Sequence, residues 1–97
     1  GLLEHRGAIL SMSDAVLTYQ GERVNLTKNE YRILLTLIEN KGKIVSRDVL
    51  MTKLWETDSF VDENTLTVNV TRLRKKLAEI GLEDFITTKK GVGYMVE

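Results

Sequence analysis

Residues 62–80 read DENTLTVNVTRLRKKLAEI, and the rest of the chain can be placed around the helix that this stretch predicts. Apolar side chains recur three and four residues apart, which buries one stripe of a helix against a core: Leu66, Val70, Leu73, Leu77 and Ile80. The opposite side carries a polar row with two further cations beside it: Thr65, Asn69, Arg72 and Lys76, then Arg74 and Lys75. Such a row suits the major groove of DNA, but a solvated amphipathic helix would show the same pattern.

Both ends of this helix are marked in the sequence. Asp62 can cap the first turn, where Glu63 follows, and the cations lie toward the far end, so that both ends suit the helix dipole. Gly81 is of the residue type that commonly follows the last turn, and we expect the helix to end there.

Length and composition restrict the class of protein. A chain of 97 residues with 42% hydrophobic residues fits one domain that buries its own core. It has no cysteine, which excludes disulfides and thiol chemistry and fits a reducing compartment such as the cytoplasm. No apolar run approaches the roughly 20 residues of a membrane span, so we expect a soluble domain with no membrane partner. Because the chain starts at Gly1, we interpret it as a fragment of a longer protein or as a processed or tagged end.

The charges balance overall but are unevenly placed. The 14 basic and 14 acidic residues give a net charge of zero, whereas many nucleic-acid-binding domains are basic. The cations gather in two places, in the long helix and near the C-terminus: Arg72, Arg74, Lys75 and Lys76, then Lys89 and Lys90. Any attraction to nucleic acid would therefore come from local clusters.

The N-terminal part predicts a small sheet. Residues 1–7 are predicted to be the end of a linker with little to bury, and residues 8–97 to be the domain. Three short β-rich runs at residues 8–12, 15–19 and 23–26 alternate with turns, which predicts antiparallel strands that brace the helices.

Two shorter helices are predicted before the long one. Thr27 and Glu30 have the spacing of a capping box, and the helix after them is expected to end at residues 40–42. Its buried stripe is predicted to be Tyr31, Leu34, Leu35 and Ile38. After an extended link at residues 43–45, Ser46 can cap a second helix from Arg47 to Trp55. Its inward residues are predicted to be Val49, Leu50 and Leu54, with Trp55 in the core.

A hairpin is predicted at the C-terminus. Two β-rich runs, at residues 85–88 and 94–96, flank a turn that contains Lys89, Lys90 and two glycines. After a helix of the recognition type such a hairpin is a wing, whose lysines can reach phosphates in a neighbouring groove, although a solvated turn would look the same. The predicted fold is α+β, a winged helix-turn-helix with an N-terminal antiparallel sheet, three helices and a C-terminal β-hairpin wing.

Several short strings, in this order, resemble the OmpR/PhoB-type winged-helix effector domain of bacterial two-component response regulators. They span nearly the whole chain from about Ala8: Leu26-Thr27, Glu30-Tyr31, Leu34-Leu35, Val45-Ser46-Arg47, Leu50, Leu54-Trp55, Asn64-Thr65-Leu66, Val68-Asn69-Val70, residues 72–77 (RLRKKL) and residues 90–94 (KGVGY). The last two are the most specific. Residues 61–71 (VDENTLTVNVT) also look like the BceR/GraR-like branch of Gram-positive regulators that respond to cell-envelope antibiotics.

The resemblance implies that the third helix enters the major groove and that the wing lies at the minor groove. It also implies a receiver domain outside this chain, phosphorylated by a membrane sensor kinase, and tandem binding to direct-repeat sites. By position, the helix residues at DNA would be Asn64, Asn69, Thr71, Arg72 and Arg74, and the wing residues Thr88, Lys90 and Tyr94. Four of these positions often carry Arg or His in the family: Asn64, Asn69, Thr71 and Lys90. The specificity of other members therefore does not transfer base by base.

The residue types suggest a division of labour on DNA. Arg72 can pair with guanine and Asn69 with adenine, so these two are the predicted base contacts. Arg47 can join the free amides of the second helix in holding a phosphate. The predicted backbone contacts are Arg47, Asn64, Thr65, Thr71, Arg74, Lys76, Thr88, Lys89, Lys90 and Tyr94. The alternatives are solvation and, for Arg74 and Lys76, ion pairs with Glu79 or Asp84.

The sequence also bears on other partners and on catalysis. In the family the loop at residues 56–61 faces RNA polymerase, although Phe60 within it is predicted to pack into the core. His5 is the only histidine, so no Ser-His pair, His-based metal site or cofactor is predicted, and we do not expect an enzyme. The alternative function is a winged-helix module that binds an acidic protein partner through residues 72–76.

Overall fold

The computed structural model describes residues 1–97 and has the predicted architecture. The elements are, in chain order, β1 (Leu2–His5), β2 (Ala8–Ser11), β3 (Val16–Tyr19), β4 (Glu22–Asn25), α1 (Lys28–Glu39), β5 (Val45–Ser46), α2 (Arg47–Trp55), α3 (Glu63–Glu79), β6 (Thr87–Lys89) and β7 (Gly93–Met95). A four-stranded antiparallel sheet precedes three helices, and a hairpin of β6 and β7 closes the chain. The fold class predicted from sequence is confirmed.

The N-terminal sheet has one more strand than predicted. The sequence predicts the end of a linker at residues 1–7, but Leu2–His5 form β1 and pair antiparallel with β2, with Leu3 opposite Leu10. Alternate residues of β1 face inward, so that Leu3 packs against the core and His5 is buried. The assignment was wrong because one leucine and one histidine give too weak an alternation to predict a strand, and β2 supplies the missing partner.

His5 is buried without a hydrogen bond. Its ring packs edge-on against Phe85 with the ring centroids 5.6 Å apart, and Nε2 has no partner. Burial lowers the pKa of His5 from its ordinary value of 6.5, and the positive charges of Lys41 and Arg6 lower it further against the opposing effect of Glu4. The neutral imidazole is therefore the form that fits this site.

We expect the free energy of unfolding to fall as the pH drops below about 6.5. The pKa of His5 is lower in the folded chain, so the unfolded chain takes up the proton first. The contribution of neutral His5 to stability is fully present above the pKa of the unfolded chain. It is lost as the pH falls toward the pKa of the folded chain, with a slope of up to about 1.4 kcal/mol per pH unit. Urea unfolding between about pH 7.5 and 5.5 measures it. His5→Leu should remove this slope, and an equal slope in that variant would contradict the assignment.

The first helix begins and ends as predicted. The Thr27 hydroxyl accepts from the Glu30 amide at 3.2 Å, and the Glu30 carboxylate accepts from the Thr27 amide at 2.8 Å, which completes the capping box. Leu34, Leu35 and Ile38 are buried, whereas Tyr31 is half-buried and its hydroxyl donates to the Met12 carbonyl. Glu30 of this capping box also contacts Lys76 of α3.

The second helix is less buried than predicted. Leu50 and Leu54 are fully buried, but Val49 is 47% exposed and Trp55 is 51% exposed. The sequence-based prediction that both side chains face the interior is therefore wrong. The helix has nine residues and packs on α1 and α3 through a narrow stripe, so only two leucines one turn apart reach the core.

The third helix has the predicted core stripe and ends. Asp62 caps it by accepting from the Thr65 amide at 2.7 Å, and this bond and the Thr65 hydroxyl lower the pKa of Asp62 from 3.8. At the other end the Leu82 amide donates to the Leu77 carbonyl and the Gly81 amide to the Ala78 carbonyl, with Gly81 at φ +96°. This is the Schellman arrangement, and it reverses the chain toward the wing.

The wing belongs to a three-stranded sheet. The predicted link at residues 43–45 includes the start of β5, whose Val45 and Ser46 pair with Tyr94 and Gly93 of β7, so the sheet order is β5-β7-β6. A Cβ on Gly93 would lie 1.9 Å from the Val45 carbonyl oxygen, so only glycine permits this approach of the strands. The wing is thereby anchored in front of α2.

Candidate nucleic-acid interface

The sides of α3 have different surroundings. Leu66, Val70, Leu73 and Leu77 face the core. One flank faces the start of α1, where Lys76 contacts Glu30. The other faces α2 and the wing, where Thr67 contacts Arg47 and Arg74 contacts Thr88. Between the flanks lies a surface strip, called here the open strip, whose members are exposed except for the half-buried Val68: Asn64, Val68, Thr71, Arg72 and Lys75. The open strip is the part of the helix that can enter a groove.

Asn69 does not lie on the open strip. It is 9% exposed, and its Nδ2 donates to the Thr65 carbonyl at 2.8 Å. The predicted polar row of the helix thus turns toward α1, because Thr65, Asn69 and Lys76 lie about a quarter turn from the middle of the exposed side. The prediction that Asn69 stands on the outward row beside Arg72 was wrong. Thr65 is likewise engaged in the cap with Asp62.

Lys76 is part of an internal ion pair. Its Nζ lies 2.6 Å from Glu30 Oε1 and 2.9 Å from the Asn25 carbonyl oxygen. The Glu30 side chain is 2% exposed, so the carboxylate has lost most of its water and needs this cation. Lys76 therefore connects α3 to the start of α1. The sequence predicts instead a phosphate contact for Lys76, or an ion pair with Glu79 or Asp84. The two partners are 46 residues apart, and no local pattern connects them.

Arg72 remains available. It is exposed, and none of the ion pairs of the chain includes it. It stands at the edge of a polar cleft of about 520 Å³ between α1, residues 57–58 and α3, lined only by non-hydrophobic residues. Within the cleft Asn29 Nδ2 donates to Asp58 Oδ2 at 3.2 Å, which lowers the pKa of Asp58 from 3.8. The free guanidinium and the adjacent Lys75 give the open strip its positive charge.

Arg47 is held by the protein itself. Its Nε donates to Glu63 Oε2 at 2.7 Å, and its Nη2 donates to the Glu63 carbonyl at 2.8 Å and to Thr67 Oγ1 at 2.9 Å. Its Nη1 donates to the Tyr94 hydroxyl at 2.8 Å. The hydrogen bond to Glu63 is the largest cause of the raised pKa of Arg47. A guanidinium has five donors, and four of those of Arg47 are engaged within the chain. This geometry therefore does not favour the predicted role of Arg47 as a phosphate ligand.

The wing is tied to α3 by Arg74. Its Nη2 donates to the Ile86 carbonyl at 3.0 Å and to the Thr88 hydroxyl, and its Cζ lies 5.6 Å from the centroid of the Tyr94 ring. Tyr94 is 6% exposed, so little of its side chain is accessible for the predicted contact with the DNA backbone. Three donors of Arg74 remain free, which leaves it able to reach a phosphate while it holds the wing.

The wing tip has the predicted cations. Lys90 is exposed and Lys89 half-buried, in a turn closed by the Val92 amide donating to the Lys89 carbonyl at 2.9 Å. Gly91 in this turn has φ +74°, a conformation that favours glycine. The tip therefore presents Lys90 fully and Lys89 partly to solvent, on a wing whose Thr88 contacts Arg74 of α3.

The loop between α2 and α3 exposes aromatic surface. Phe60 is 68% exposed, so its predicted place in the core was wrong, and only Val61 of this loop is buried. With the half-exposed Trp55 at its start, the loop offers two large aromatic side chains to a partner. Sequence reasoning missed both, since aromatic residues are usually buried in domains of this size.

An open polar strip on a capped helix, with a tethered two-stranded wing beside it, defines a winged-helix DNA-binding domain. The chain belongs to the family described as "Transcriptional regulatory protein, C terminal", which matches residues 21–96. It is the DNA-binding effector domain of a response regulator of the OmpR/PhoB type, as the resemblance of its strings predicted. The proteins of this family are transcriptional regulators and not enzymes.

The similar proteins fall in the predicted branch. The chain is 47% identical over 94 residues to the response regulator protein GraR of Staphylococcus saprophyticus, covering 97% of this chain and 42% of that protein. It is 48% identical over 91 residues to the sensory transduction protein BceR of Halalkalibacterium halodurans, covering 94% and 39%. The chain thus spans about two fifths of the length of these relatives.

Two solved structures share the fold. The C-terminal domain of the nisin resistance regulator NsrR is 45% identical, with a TM-score of 0.85 and coverage of 97% of this chain and 95% of that one. The DNA-binding domain of the response regulator AdeR, solved in complex with an intercistronic region, is 27% identical with a TM-score of 0.85, covering 98% and 97%. None of the helices of the present chain is long and apolar enough to cross a membrane.

Proposed function

We propose that the open strip of α3 enters the major groove of an operator and that the wing tip lies at the adjacent minor groove. The observation that carries this proposal is the state of Arg72, an exposed guanidinium on the open strip with no ion-pair partner in the chain. A free arginine in the middle of a recognition helix can bind guanine O6 and N7 with two donors. Arg72 is therefore the base-reading residue.

The backbone contacts that we propose are those with exposed or spare donors. They are Asn64, Thr71, Arg74, Thr88, Lys89 and Lys90, to which we add Lys75 because it is exposed on the open strip. Asn69, Lys76, Arg47 and Tyr94 are assigned internal roles instead, because their polar groups are buried or engaged within the chain. Affinity then comes from a small set of cations on one side of a neutral domain, which suits binding that is steered by local charge.

We expect Arg72→Ala and Lys90→Ala to weaken DNA binding in different ways. Losing a bidentate base contact should cost about 1–3 kcal/mol on the preferred site and relax discrimination at one base pair. Losing the wing lysine should weaken all duplexes about equally and reduce the salt slope by about 0.9. The measurement is a titration of the chain, over a series of salt concentrations, with sites first selected from a random duplex pool.

Lys41→Ala supplies the control for this titration, since Lys41 is an exposed cation in the turn after α1 and belongs to neither α3 nor the wing hairpin. It should leave the affinity unchanged. Identical behaviour of the Arg72 and Lys90 variants would refute the division between base and backbone contacts. A salt slope near zero for the unaltered chain would instead favour the module that binds an acidic protein, and would refute DNA as the partner.

The relatives GraR and BceR are more than twice as long as this chain. We propose that the chain is likewise part of a longer protein, with a receiver domain that a membrane sensor kinase phosphorylates in the cytoplasm. Two copies would then bind direct-repeat sites in tandem. The exposed loop at residues 56–61, with Phe60 at 68% exposure, is the surface that we assign to RNA polymerase. Its support is the exposed aromatic ring of Phe60, since aromatic side chains are enriched at protein interfaces, whereas the acidic residues of the loop would repel the phosphates of DNA.

A further inference from the structure

Tyr94 lies where α2, α3 and the wing meet. Its ring, on β7, is approached by Arg47 of α2 at 5.9 Å and by Arg74 of α3 at 5.6 Å, measured from each Cζ to the ring centroid. The tyrosine is 6% exposed, so these cation–π contacts are largely shielded from water. Two cations at one ring repel each other, and a single carboxylate, that of Glu63, offsets one of them. Hydrogen bonds must therefore hold the arrangement together.

Those hydrogen bonds connect the separate parts of the proposed interface. Arg47 binds Glu63 and Thr67 in the first turns of α3 and the Tyr94 hydroxyl on the wing. Arg74 binds Thr88 on the other wing strand. Beyond these contacts the hairpin is attached on the side of β5, through two residue pairs and the Arg47 amide donating to the Val92 carbonyl, and by Ile86 and Val96 packed in the core. The set Arg47, Arg74 and Tyr94, called here the tyrosine clamp, is thus a main link between α3 and the wing.

We propose that Arg47 and Tyr94 are positioning residues, which fix the wing relative to α3 so that both parts approach DNA as one rigid unit. Arg47 acts through this link and does not need to touch DNA itself. The consequence for DNA rests on the proposed function, whereas the positioning of the wing does not. A rigid link raises affinity because the wing does not lose conformational freedom when it binds.

Spin labels can measure the positioning without DNA. The chain has no cysteine, so Glu79→Cys on α3 and Val92→Cys on the wing, both at exposed positions, create unique sites. The distance distribution between the labels should be narrow in the 97-residue chain. Arg47→Met should widen it roughly twofold, because the link through Arg47 is lost and only the link through Arg74 remains. Tyr94→Phe keeps the ring but loses the hydroxyl, so it should widen the distribution less.

A second label pair separates positioning from general loosening. Labels at Glu79 and Glu39, which is exposed on α1, report a distance that the tyrosine clamp does not span. This distance should keep its width in both variants, with circular dichroism confirming that they are folded. Equal widening of both label pairs, or no widening of the wing pair in either variant, would overturn the proposal.

Duplex binding gives the functional readout. In the unaltered chain Lys90→Ala should weaken binding several-fold, and in the Arg47→Met background this factor should fall toward one, because an unfixed wing contributes little. A full Lys90 effect in that background, together with a salt slope reduced by about 0.9, would show that Arg47 binds a phosphate and would overturn the proposal. If the unaltered chain binds no duplex, the proposed function fails, while the label distances still decide the positioning.

Discussion

Gly93→Ala is expected to lower the free energy of unfolding by about 3 kcal/mol or more, the largest stability loss that we predict for a single methyl group. The added Cβ would lie 1.9 Å from the Val45 carbonyl oxygen, 2.8 Å from its carbonyl carbon and 2.9 Å from the Ser46 Cα. These are backbone atoms, which cannot rotate away as a flexible side chain would. Strands β5 and β7 would have to separate, with loss of the pairing that anchors the wing.

Urea unfolding of Gly93→Ala beside Val92→Ala measures this effect. Val92 is the adjacent residue, is 53% exposed and should tolerate alanine within about 0.5 kcal/mol. The thermal midpoint of Gly93→Ala should fall by about 12 °C or more, given about 4–8 °C per kcal/mol for a domain of this size. A loss below about 1 kcal/mol would mean that the strands can move apart at little cost, contrary to the close contact.

Lys76→Met is expected to lower the free energy of unfolding by about 2–3 kcal/mol, because it leaves the Glu30 carboxylate buried without its cation. Glu30 is 2% exposed and Lys76 28% exposed at the side chain, so the loss should be smaller than for a fully buried pair. Methionine keeps most of the aliphatic stem, which limits the packing loss. Chemical unfolding of the single and double variants measures the coupling between the two residues.

The double variant Glu30→Gln with Lys76→Met should recover most of the loss. In the unaltered chain the Thr27 amide donates to Glu30 Oε1 at 2.8 Å. A glutamine at position 30 can still accept this hydrogen bond, and the double variant leaves no unpaired charge buried. On DNA, Lys76→Met should leave the salt slope unchanged at temperatures where the chain is folded. A slope reduced by about 0.9 would show that Lys76 leaves Glu30 to bind a phosphate, and would restore the role predicted from its sequence position.

The sequence predicted most of what depends on near neighbours. The cap at Thr27 and Glu30, the cap at Asp62 and the chain reversal at Gly81 each use groups within a few residues of one another. The core stripe of α3 follows from helical spacing in the same way, because side chains three and four residues apart share one face. Strand β1 was missed, since its two inward residues acquire a pattern only beside β2.

The tertiary structure decided where each polar residue of α3 points, both on the open strip and on its flanks. The apolar stripe fixes one side of α3 but does not say which flank another element covers, so Asn69 and Arg72 looked equivalent. Packing against α1 buries Asn69 and engages Lys76, while Arg72 stays exposed. The clamp at Tyr94 likewise joins residues 47 positions apart in the chain. The sequence by itself determined the helices, their ends and the family, because these depend on local spacing and ordered motifs. Only the tertiary structure decided which cations are free to meet DNA, because pairing with a distant carboxylate or ring depends on how the elements pack.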